Sequence, residues 1–430
     1  MSRGLLWFRT DLRLSDNLAL QAALDQCADI VPVYIFDEQW LGTDHWGFQR
    51  TGPFRLQFLL ESLQDLKSHL KEVGSDLIIE RGNPAELLPK IAAEYTCDAI
   101  FCSKAYTHEE LKVEQAIEAQ LPLHAFHNSP MIHPDDVTFS VDRMPEVFTA
   151  FRKKVEKYSE VREPFSSPSA IKSPPLHTKK IPTLTDFGHA PIQADNRAVM
   201  PFKGGALEAW NRVEHYFWDT EKLSNYKETR NGLIGADYSS KFSPWLAHGC
   251  ISARAIYHEV EKYEQEVEKN KSTYWLKFEL LWRDFFKYTA MRYGHRIFIA
   301  QGIKEEPRKW YYRPHIVQQW IDGETGDDFV DANMEELRRT GFMSNRGRQN
   351  VASYLVHKLK QDWRAGAAWF ESMLIDYDVE SNYGNWIYAA GVGNDPRDRV
   401  FNTKQQADMY DNKGEYRQLW LKSEAPNSYS

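Results

Sequence analysis

Hydrophobic positions in the first third of the chain alternate between short continuous runs and longer, helically spaced stretches. The runs have the length and composition of buried strands and lie at 4–9, 30–36, 76–82, 98–103 and 123–127. Between the second and third runs, at 54–73, apolar residues recur with the spacing of one helix face. Alternation of this kind predicts an α/β domain with a doubly wound, five-stranded parallel sheet. No G-x-G-x-x-G follows the first run, so the dinucleotide-binding fingerprint is absent there.

The pattern changes after residue 130. Seven prolines lie between residues 163 and 201, which predicts an extended connector along the surface, preceded by an amphipathic helix at 145–156. From residue 204 on, helical spacing dominates, and the run 272–288 is apolar on almost every side, as expected of a buried central helix. We therefore expect an α/β domain at 1–130, a proline-rich interdomain connector at 131–200, an all-α domain at 201–421 and a short tail at 422–430.

Composition narrows the class of protein. The chain has 430 residues and a net charge of −8, which argues against indiscriminate binding to duplex phosphates. Its four cysteines form no C-x-x-C pair, so neither a disulfide framework nor a metal site is expected. No apolar run is long enough to span a bilayer, and the N-terminal run is too short for a signal peptide. We expect a cytoplasmic, monomeric protein that does not associate with membranes.

Two charges interrupt the apolar run 272–288. Glu279 and Arg283 lie four residues apart, in the acid-first order that favours an ion pair along a helix. A buried charge costs free energy unless it is paired or binds a ligand. Two interpretations stay open: a simple intrahelical ion pair, or a helix that lines a polar cavity.

The segment 375–396 combines acidic, amide and aromatic side chains. Its notable members are Asp376, Asp378, Asn382, Trp386 and Tyr388. If the backbone is extended, residues two apart point the same way, so the two aspartates would face one partner. The alternative is an Asx-rich turn ahead of a core aromatic cluster.

A second polar cluster lies at 225–246. A turn rich in Gly, Asp and Ser leads there into S-S-K-F-S-P and an apolar, helix-like run. Hydroxyls and N–H groups at a helix start, together with Lys241, would form an anion site. An ordinary serine-capped helix has the same residues, so the pattern alone is not specific.

A third cluster lies at 341–356. Gly341 is predicted to end one helix and Ser344 to cap the next. Asn345 and Arg348 would then share a face of the second helix, while Arg346 points elsewhere.

These motifs, in this order, resemble those of the photolyase–cryptochrome family over nearly the whole chain, to about residue 421. The shared motifs are W-F-R-x-D-L-R-x-x-D-N, S-S-K-F-S-P, E-L-L-W-R-D-F, N-R-G-R, I-D-Y-D-V-E-S-N and W-I-Y-A-A-G. The cryptochrome DASH branch is resembled further at 147–156, 331–337, 342–353 and 391–397.

The resemblance implies an FAD bound in the helical domain. Its phosphate and ribose contacts would be Tyr226, Ser239, Ser240, Lys241, Phe242 and Ser243, and its flavin pocket would include Glu279, Arg283, Asn345, Arg348, Asp376, Asp378 and Asn382. Arg348 would supply the cation that a reduced, anionic flavin needs, with Asp376 as its counter-ion. Asn382 would lie by the flavin N5.

The resemblance also assigns an electron path to three tryptophans, although each taken singly is a core residue by default. Trp386 would be nearest the flavin, followed by Trp363 and then Trp310 at the outside.

The implied substrate is a cyclobutane pyrimidine dimer flipped out of its stack. Trp282 would stack on the dimer and Glu279 would hydrogen-bond it, while Arg346 faces the opening. Many photolyases carry a second tryptophan at the position of Tyr388, and the smaller ring fits a preference for single-stranded DNA, with duplex DNA or RNA bound weakly. The window 335–364 has seven basic and three acidic residues, a local charge of +4, and is either a phosphate-contacting rim or a solvated helix face.

The family also implies an antenna pigment, 5,10-methenyltetrahydrofolate, near the α/β domain. Glu110 is the first candidate for the pterin contact, with Glu109 as the second and Glu146 of the connector as a further wall of the cleft.

The expected function is blue-light-driven repair of pyrimidine dimers by a deoxyribodipyrimidine photo-lyase type enzyme. The alternative is a blue-light photoreceptor with weak or no repair activity. The short stretch after residue 421 favours repair, because sensor cryptochromes usually carry a long C-terminal extension. A dark FAD oxidoreductase is disfavoured because no nicotinamide fingerprint is evident.

Overall fold

The structure is a computed structural model that describes residues 2–395 and 400–421. The predicted tail at 422–430 lies outside the described residues. In the part that is described, no helix is long and apolar enough to cross a membrane.

A five-stranded parallel sheet forms the N-terminal third and confirms the predicted α/β class. Its strands are β1 (Arg3–Phe8), β2 (Asp29–Asp37), β3 (Ile78–Gly82), β4 (Ala99–Ser103) and β5 (Leu123–Phe126), in the order β3-β2-β1-β4-β5. Central β1 pairs with both β2 and β4, and Trp7 lies opposite Val33 and Cys102. The order reverses at β1, which opens a crevice at the carboxyl ends of the strands.

Helices cover both faces of this sheet. They are α1 (Leu18–Gln26), α2 (Glu38–Leu41), α3 (Pro53–Glu72), α4 (Pro84–Glu94) and α5 (His108–Glu118). Asn17 caps α1 by accepting a hydrogen bond from the Leu20 N–H, and Pro84 begins α4, a position at which proline is favoured.

The connector contains one regular helix, α6 (Phe148–Tyr158), and then runs extended along the α/β domain. The Ile171 N–H donates to the Val73 carbonyl, and the Ile30 N–H donates to the Lys172 carbonyl. These bonds support the prediction of an extended segment laid over the surface.

The remainder is helical, as predicted. Its helices are α7 (Ala206–Glu214), α8 (Tyr226–Thr229), α9 (Ser243–Ala247), α10 (Ala253–Glu266), α11 (Lys271–Tyr293), α12 (Pro314–Asp322), α13 (Asp328–Thr340), α14 (Asn345–Ser353), α15 (Trp363–Met373), α16 (Val379–Ala389), α17 (Thr403–Tyr410) and α18 (Glu415–Leu421). The long helix α11 is buried over much of its length because its side chains are apolar on several faces. The boundaries proposed at residues 130, 200 and 421 stay a prediction.

Buried polar contacts hold the two parts together. Asp16 accepts hydrogen bonds from Arg254 at 3.0 Å, and both side chains are almost fully buried. Asp284 of α11 accepts hydrogen bonds from the Met131 and Ile132 backbone N–H groups at 2.9 and 2.8 Å. Buried charges paired in this way set the relative position of the α/β and helical parts.

Candidate functional site

Asp376 lies at the centre of the polar site in the helical domain, in the turn between α15 and α16. Its Oδ2 accepts hydrogen bonds from Ser243 Oγ at 2.6 Å and Arg348 Nη2 at 2.8 Å. The predicted Arg348–Asp376 ion pair is therefore confirmed. Oδ1 of the same carboxylate is buried, with no hydrogen-bond partner among the described residues. A buried acceptor without a donor is costly, so this oxygen fits a ligand that brings an N–H or O–H.

Asp378 does not share a partner with Asp376, so the expectation that both face one group is wrong. Residues 375 and 376 form a turn rather than a strand. Asp378 caps α16 through the Ser381 N–H and accepts from Lys287 Nζ at 2.9 Å. Burial disfavours its ionised form, but the charges of Lys287 and Arg283 outweigh that effect and lower the pKa of Asp378.

Glu279 and Arg283 form no ion pair with each other, so that interpretation of the α11 charges is wrong. Glu279 Oε1 accepts from Arg230 Nη1 at 2.6 Å and from Trp275 Nε1 at 3.2 Å. Arg283 donates to the carbonyl and hydroxyl of Ser129 at 2.8 and 3.0 Å. Each side chain finds a partner on a neighbouring segment, which competes with the i,i+4 contact. Burial raises the pKa of Glu279.

The S-S-K-F-S turn is held by a residue that the sequence did not single out. Arg212 of α7 donates to the carbonyls of Ser239 and Ser240 at 3.1 and 3.0 Å. Lys241, the third residue of this turn, is buried and has a φ of +56°. Lys241 Nζ lies 3.1 Å from the centroid of the Tyr238 ring. Burial, and then the Arg212 charge, lower the pKa of Lys241 to about 6, so an anionic ligand would restore its proton.

Two aromatic members of the predicted contact set have different surroundings. Tyr226 begins α8 and is buried near Glu279, and burial followed by that charge raises its pKa. Phe242 is also buried, with its ring 5.8 Å from that of Phe217. The side chain of Phe242 therefore belongs to the core.

Glu336 is a second residue that sequence reasoning missed. It lies on the buried face of α13, accepts from Tyr416 Oη at 2.6 Å, and has Oε1 buried with no partner among the described residues. Burial is the main reason that its pKa rises to about 7, against the lowering charges of Lys241 and Arg348. The only sequence signal was an acidic residue on the apolar face of an amphipathic helix.

Gly341 and Ser344 end and begin helices as predicted. Gly341 follows α13 with a φ of +69°, and Ser344 caps α14 by accepting from the Gly347 N–H. On α14, Arg348 turns inward to Asp376, whereas Arg346 donates to Asn231 Oδ1 at 2.9 Å. The predicted divergence of the two arginines is confirmed.

Asn345, the first residue of α14, is exposed. Asn382, on α16, is buried and donates from Nδ2 to the Ala367 carbonyl at 3.0 Å. This bond sets the orientation of the Asn382 amide.

The three predicted electron-path tryptophans lie within one aromatic region. Trp386 and Trp363 are buried and Trp310 is half-buried. Trp310 Nε1 and Trp363 Nε1 donate to the same carbonyl, that of Ala300, at 2.8 and 3.3 Å. Trp386 packs so tightly on Gly366 that a Cβ there would lie 2.2 Å from its Cη2 atom.

Trp282 and Tyr388 form an aromatic wall with a contribution from the connector. The Trp282 ring stacks on Phe148 at a centroid distance of 3.7 Å and meets Tyr388 edge-on at 5.7 Å. Phe148 was not identified from the sequence, because its helix was assigned only to the connector.

The basic window 335–364 does not form one surface. Glu335 pairs with Arg338 and Arg339, and Arg364 pairs with Asp362 at 2.5 Å. Arg348 points inward to Asp376, whereas Lys358 and Lys360 are exposed. The basic residues of the window therefore do not face solvent together.

The three glutamates proposed for the antenna lie in different environments. Glu110 is bonded to Thr107 and lines a cavity of about 230 Å³ at the carboxyl ends of the strands. Burial raises its pKa. Glu109 instead pairs with Arg50 at 2.9 Å, and Glu146 pairs with Arg292 at 3.0 Å.

The cavity at Glu110 lies between the sheet and the helical domain. It is lined from the sheet side by residues that include Arg9, Asp37 and Trp40, and from the helical side by Lys287 and Glu380. Lys287 lies on α11, so this helix contributes a charge to the cavity, but neither Glu279 nor Arg283 lines it. The interpretation that these two charges line a polar cavity stays a prediction.

Comparisons with known proteins agree with this geometry. The family model described as DNA photolyase matches residues 4–169, and that described as FAD binding domain of DNA photolyase matches residues 275–427. Cryptochrome DASH of Gloeobacter violaceus is 48% identical over 424 residues, which cover 97% of this chain and 85% of that protein.

Solved structures show the same likeness. The crystal structure of a Synechocystis sp. cryptochrome gives a TM-score of 0.95 at 45% identity, covering 98% of this chain and 89% of the other. A photolyase structure from Sulfolobus tokodaii, described with two FAD molecules and a novel light-harvesting cofactor, gives a TM-score of 0.80 at 26% identity over 98% and 90% of the two chains.

Proposed function

We propose that this chain, which belongs to the cryptochrome DASH branch of the photolyase–cryptochrome family, repairs cyclobutane pyrimidine dimers in single-stranded DNA under blue light. The observation that carries the proposal is the buried Asp376 carboxylate, held by Ser243 and Arg348 with one oxygen unpartnered. This arrangement suits a cofactor that presents hydrogen-bond donors beside a fixed cation.

The chain's residues would hold FAD in the helical domain. Arg212 holds the S-S-K-F-S turn by donating hydrogen bonds to two of its carbonyls. Lys241 of this turn would provide a buried amine for the diphosphate. Asp376 and Arg348 would border the flavin ring, and Asn382 is held in place by the Ala367 carbonyl. Bound FAD supplies the absorption of light and the one-electron chemistry.

The substrate would bind against the aromatic wall of Trp282 and Tyr388. Phe148 supports Trp282 from behind by stacking on one of its faces. A dimer must leave its stack to reach this wall, and that step is cheapest in a single strand. Glu279 is held by Arg230 and Trp275 on the same helix as Trp282, and its carboxyl group would hydrogen-bond the dimer's edge.

Trp386, Trp363 and Trp310 would carry electrons inward from the surface. The shared Ala300 carbonyl supports this role, because it holds the outer two indoles next to each other. Trp310 is half-buried, so it can meet a reductant in solution.

The antenna, proposed as 5,10-methenyltetrahydrofolate, would lie beside Glu110 in the cavity at the carboxyl ends of the strands. A protonated Glu110 could donate a hydrogen bond to a pterin, since burial favours its neutral form. Glu109 and Glu146 are engaged by arginines and would contribute less.

Repair is tested with purified protein carrying reduced FAD and an oligothymidine that contains one dimer. Blue light should remove the dimer and darkness should not. Trp282→Leu should retain FAD but bind and repair the dimer poorly. If light leaves the dimer intact while FAD is bound and photoreduced normally, the repair function is wrong and the photoreceptor alternative is favoured.

A further inference from the structure

Tyr383 of α16 lies beside the middle of the proposed electron path. Its ring centroid is 6.3 Å from that of Trp363, with the two planes at 79°. Two rings whose centroids lie this close are within range of rapid electron exchange. Tyr383 is not among the residues that the family motifs pointed to.

The phenol of Tyr383 faces a carboxylate. Tyr383 Oη donates to Glu371 Oε2 at 3.4 Å, a long hydrogen bond. The other oxygen of Glu371, Oε1, accepts from Arg50 Nε at 2.9 Å, and Arg50 also binds Glu109 at 2.9 Å. Glu371 is buried. Glu371 therefore forms an ion pair with Arg50 through one oxygen and presents the other oxygen as an acceptor to the phenol.

The indole N–H groups of Trp363 and Trp310 meet no carboxylate among the described residues. The indole N–H groups of Trp363 and Trp310 both donate to the Ala300 carbonyl, a neutral amide oxygen. An amide oxygen is too weak a base to take the indole proton at neutral pH. A positive hole on Trp363 therefore keeps its charge, whereas a hole on Tyr383 can be neutralised by losing the phenolic proton.

We propose that Tyr383 is a branch of the electron path and its final electron donor. One electron passes from the Tyr383 ring to the Trp363 radical cation, and the phenolic proton passes to Glu371 Oε2. The products are neutral Trp363, a neutral tyrosyl radical and a protonated Glu371, so charge and atoms balance. The proposal rests on the proposed function, which supplies the oxidised Trp363.

This branch has a consequence for the domain contact. Arg50 of the α/β domain pairs with Glu371 on α15 and with Glu109 of its own domain. Protonation of Glu371 removes the first of these two negative partners and leaves the second. Formation of the tyrosyl radical would thus weaken one ion pair between the helical and α/β parts.

The test is a laser flash on the FAD-loaded protein with the flavin oxidised, followed by transient absorption and by electron paramagnetic resonance of rapidly frozen samples. The wild type should show a tryptophan radical that gives way to a tyrosyl radical. Tyr383→Phe should show the tryptophan radical alone. Glu371→Gln, which keeps the volume but removes the base, should slow the appearance of the tyrosyl radical at least about tenfold.

Tyr288→Phe is the matched control. Tyr288 is fully buried on α11 and donates to the Ile132 carbonyl at 3.0 Å, so this substitution removes a tyrosine hydrogen bond that does not involve the three tryptophans. It should leave the tyrosyl signal unchanged. Loss of the tyrosyl signal in this variant as well would overturn the assignment.

The outcomes separate the two proposals. A tryptophan radical without any tyrosyl radical in the wild type overturns the branch and leaves the electron path intact. A tyrosyl radical that persists in Tyr383→Phe also overturns it. If no tryptophan radical forms at all, the electron path is wrong and the branch falls with it.

Discussion

Replacing Asp376 by asparagine tests the proposed FAD pocket most directly. Oδ2 accepts from Ser243 at 2.6 Å and from Arg348 at 2.8 Å, and an asparagine oxygen could keep both bonds without a charge. The NH₂ group would then replace Oδ1, which puts a donor where the pocket has a buried acceptor. A hydrogen bond to a charged group contributes about 1.5–3 kcal/mol, so we expect FAD binding to lose about 2 kcal/mol. Because 1.4 kcal/mol is a factor of ten, this loss corresponds to roughly 30-fold weaker binding.

The assay measures free FAD by its fluorescence after ultrafiltration at a series of protein concentrations. Asp331→Asn is the matched control. Asp331 is a buried aspartate of the same domain whose oxygens accept from Thr325 and Gly326, in a loop before α13. It should lower the free energy of unfolding and leave the Kd for FAD unchanged. An unchanged Kd in Asp376→Asn, or an equal loss in Asp331→Asn, would refute the assignment of Asp376 to the pocket.

Three further substitutions address the electron path, the substrate wall and the buried acid. Trp386→Phe should slow photoreduction of oxidised FAD strongly but leave repair by pre-reduced protein nearly intact, and an equal loss of both would contradict the electron role. Tyr388→Trp should strengthen dimer binding about fivefold, since stacking contributes roughly 1–3 kcal/mol per base, and unchanged affinity in a binding titration would show that this ring does not limit the wall. Glu336 has a pKa raised to about 7 from its ordinary 4.5. Its protonated form therefore stabilises the fold at low pH, and that contribution is lost as the pH rises to about 7. Denaturation of Glu336→Gln at pH 5 and pH 8 should show less of this decline than the wild type, and identical pH profiles would remove Glu336 as its cause.

The sequence predicted the fold well because periodicity is a local property. The alternation of apolar runs and helical stretches identified all five strands and the buried helix α11. The caps at Gly341 and Ser344 also follow from local backbone chemistry.

The partners of the charged side chains could not be predicted in the same way. Glu279 has a cation four residues away on its own helix but binds Arg230, which is 49 residues away along the chain. Asp376 and Asp378 diverge because a turn replaced the extended backbone that their spacing had suggested. Such choices depend on which elements pack together, and that information is not contained in a short motif. Phe148 was missed for the same reason, since its role depends on where α6 packs.

The ion pair between Asp16 and Arg254, with the two backbone N–H groups held by Asp284, has an optical consequence. These contacts tie α10 to the residue before the cap of α1, and α11 to the start of the connector. The cavity at Glu110 lies at this junction, and the Asp376 pocket lies within the helical part. Two pigments bound there would keep their transition dipoles at a constant orientation. Energy transfer between them would then depend little on the viscosity of the solvent, because neither dipole could rotate to improve or spoil the coupling.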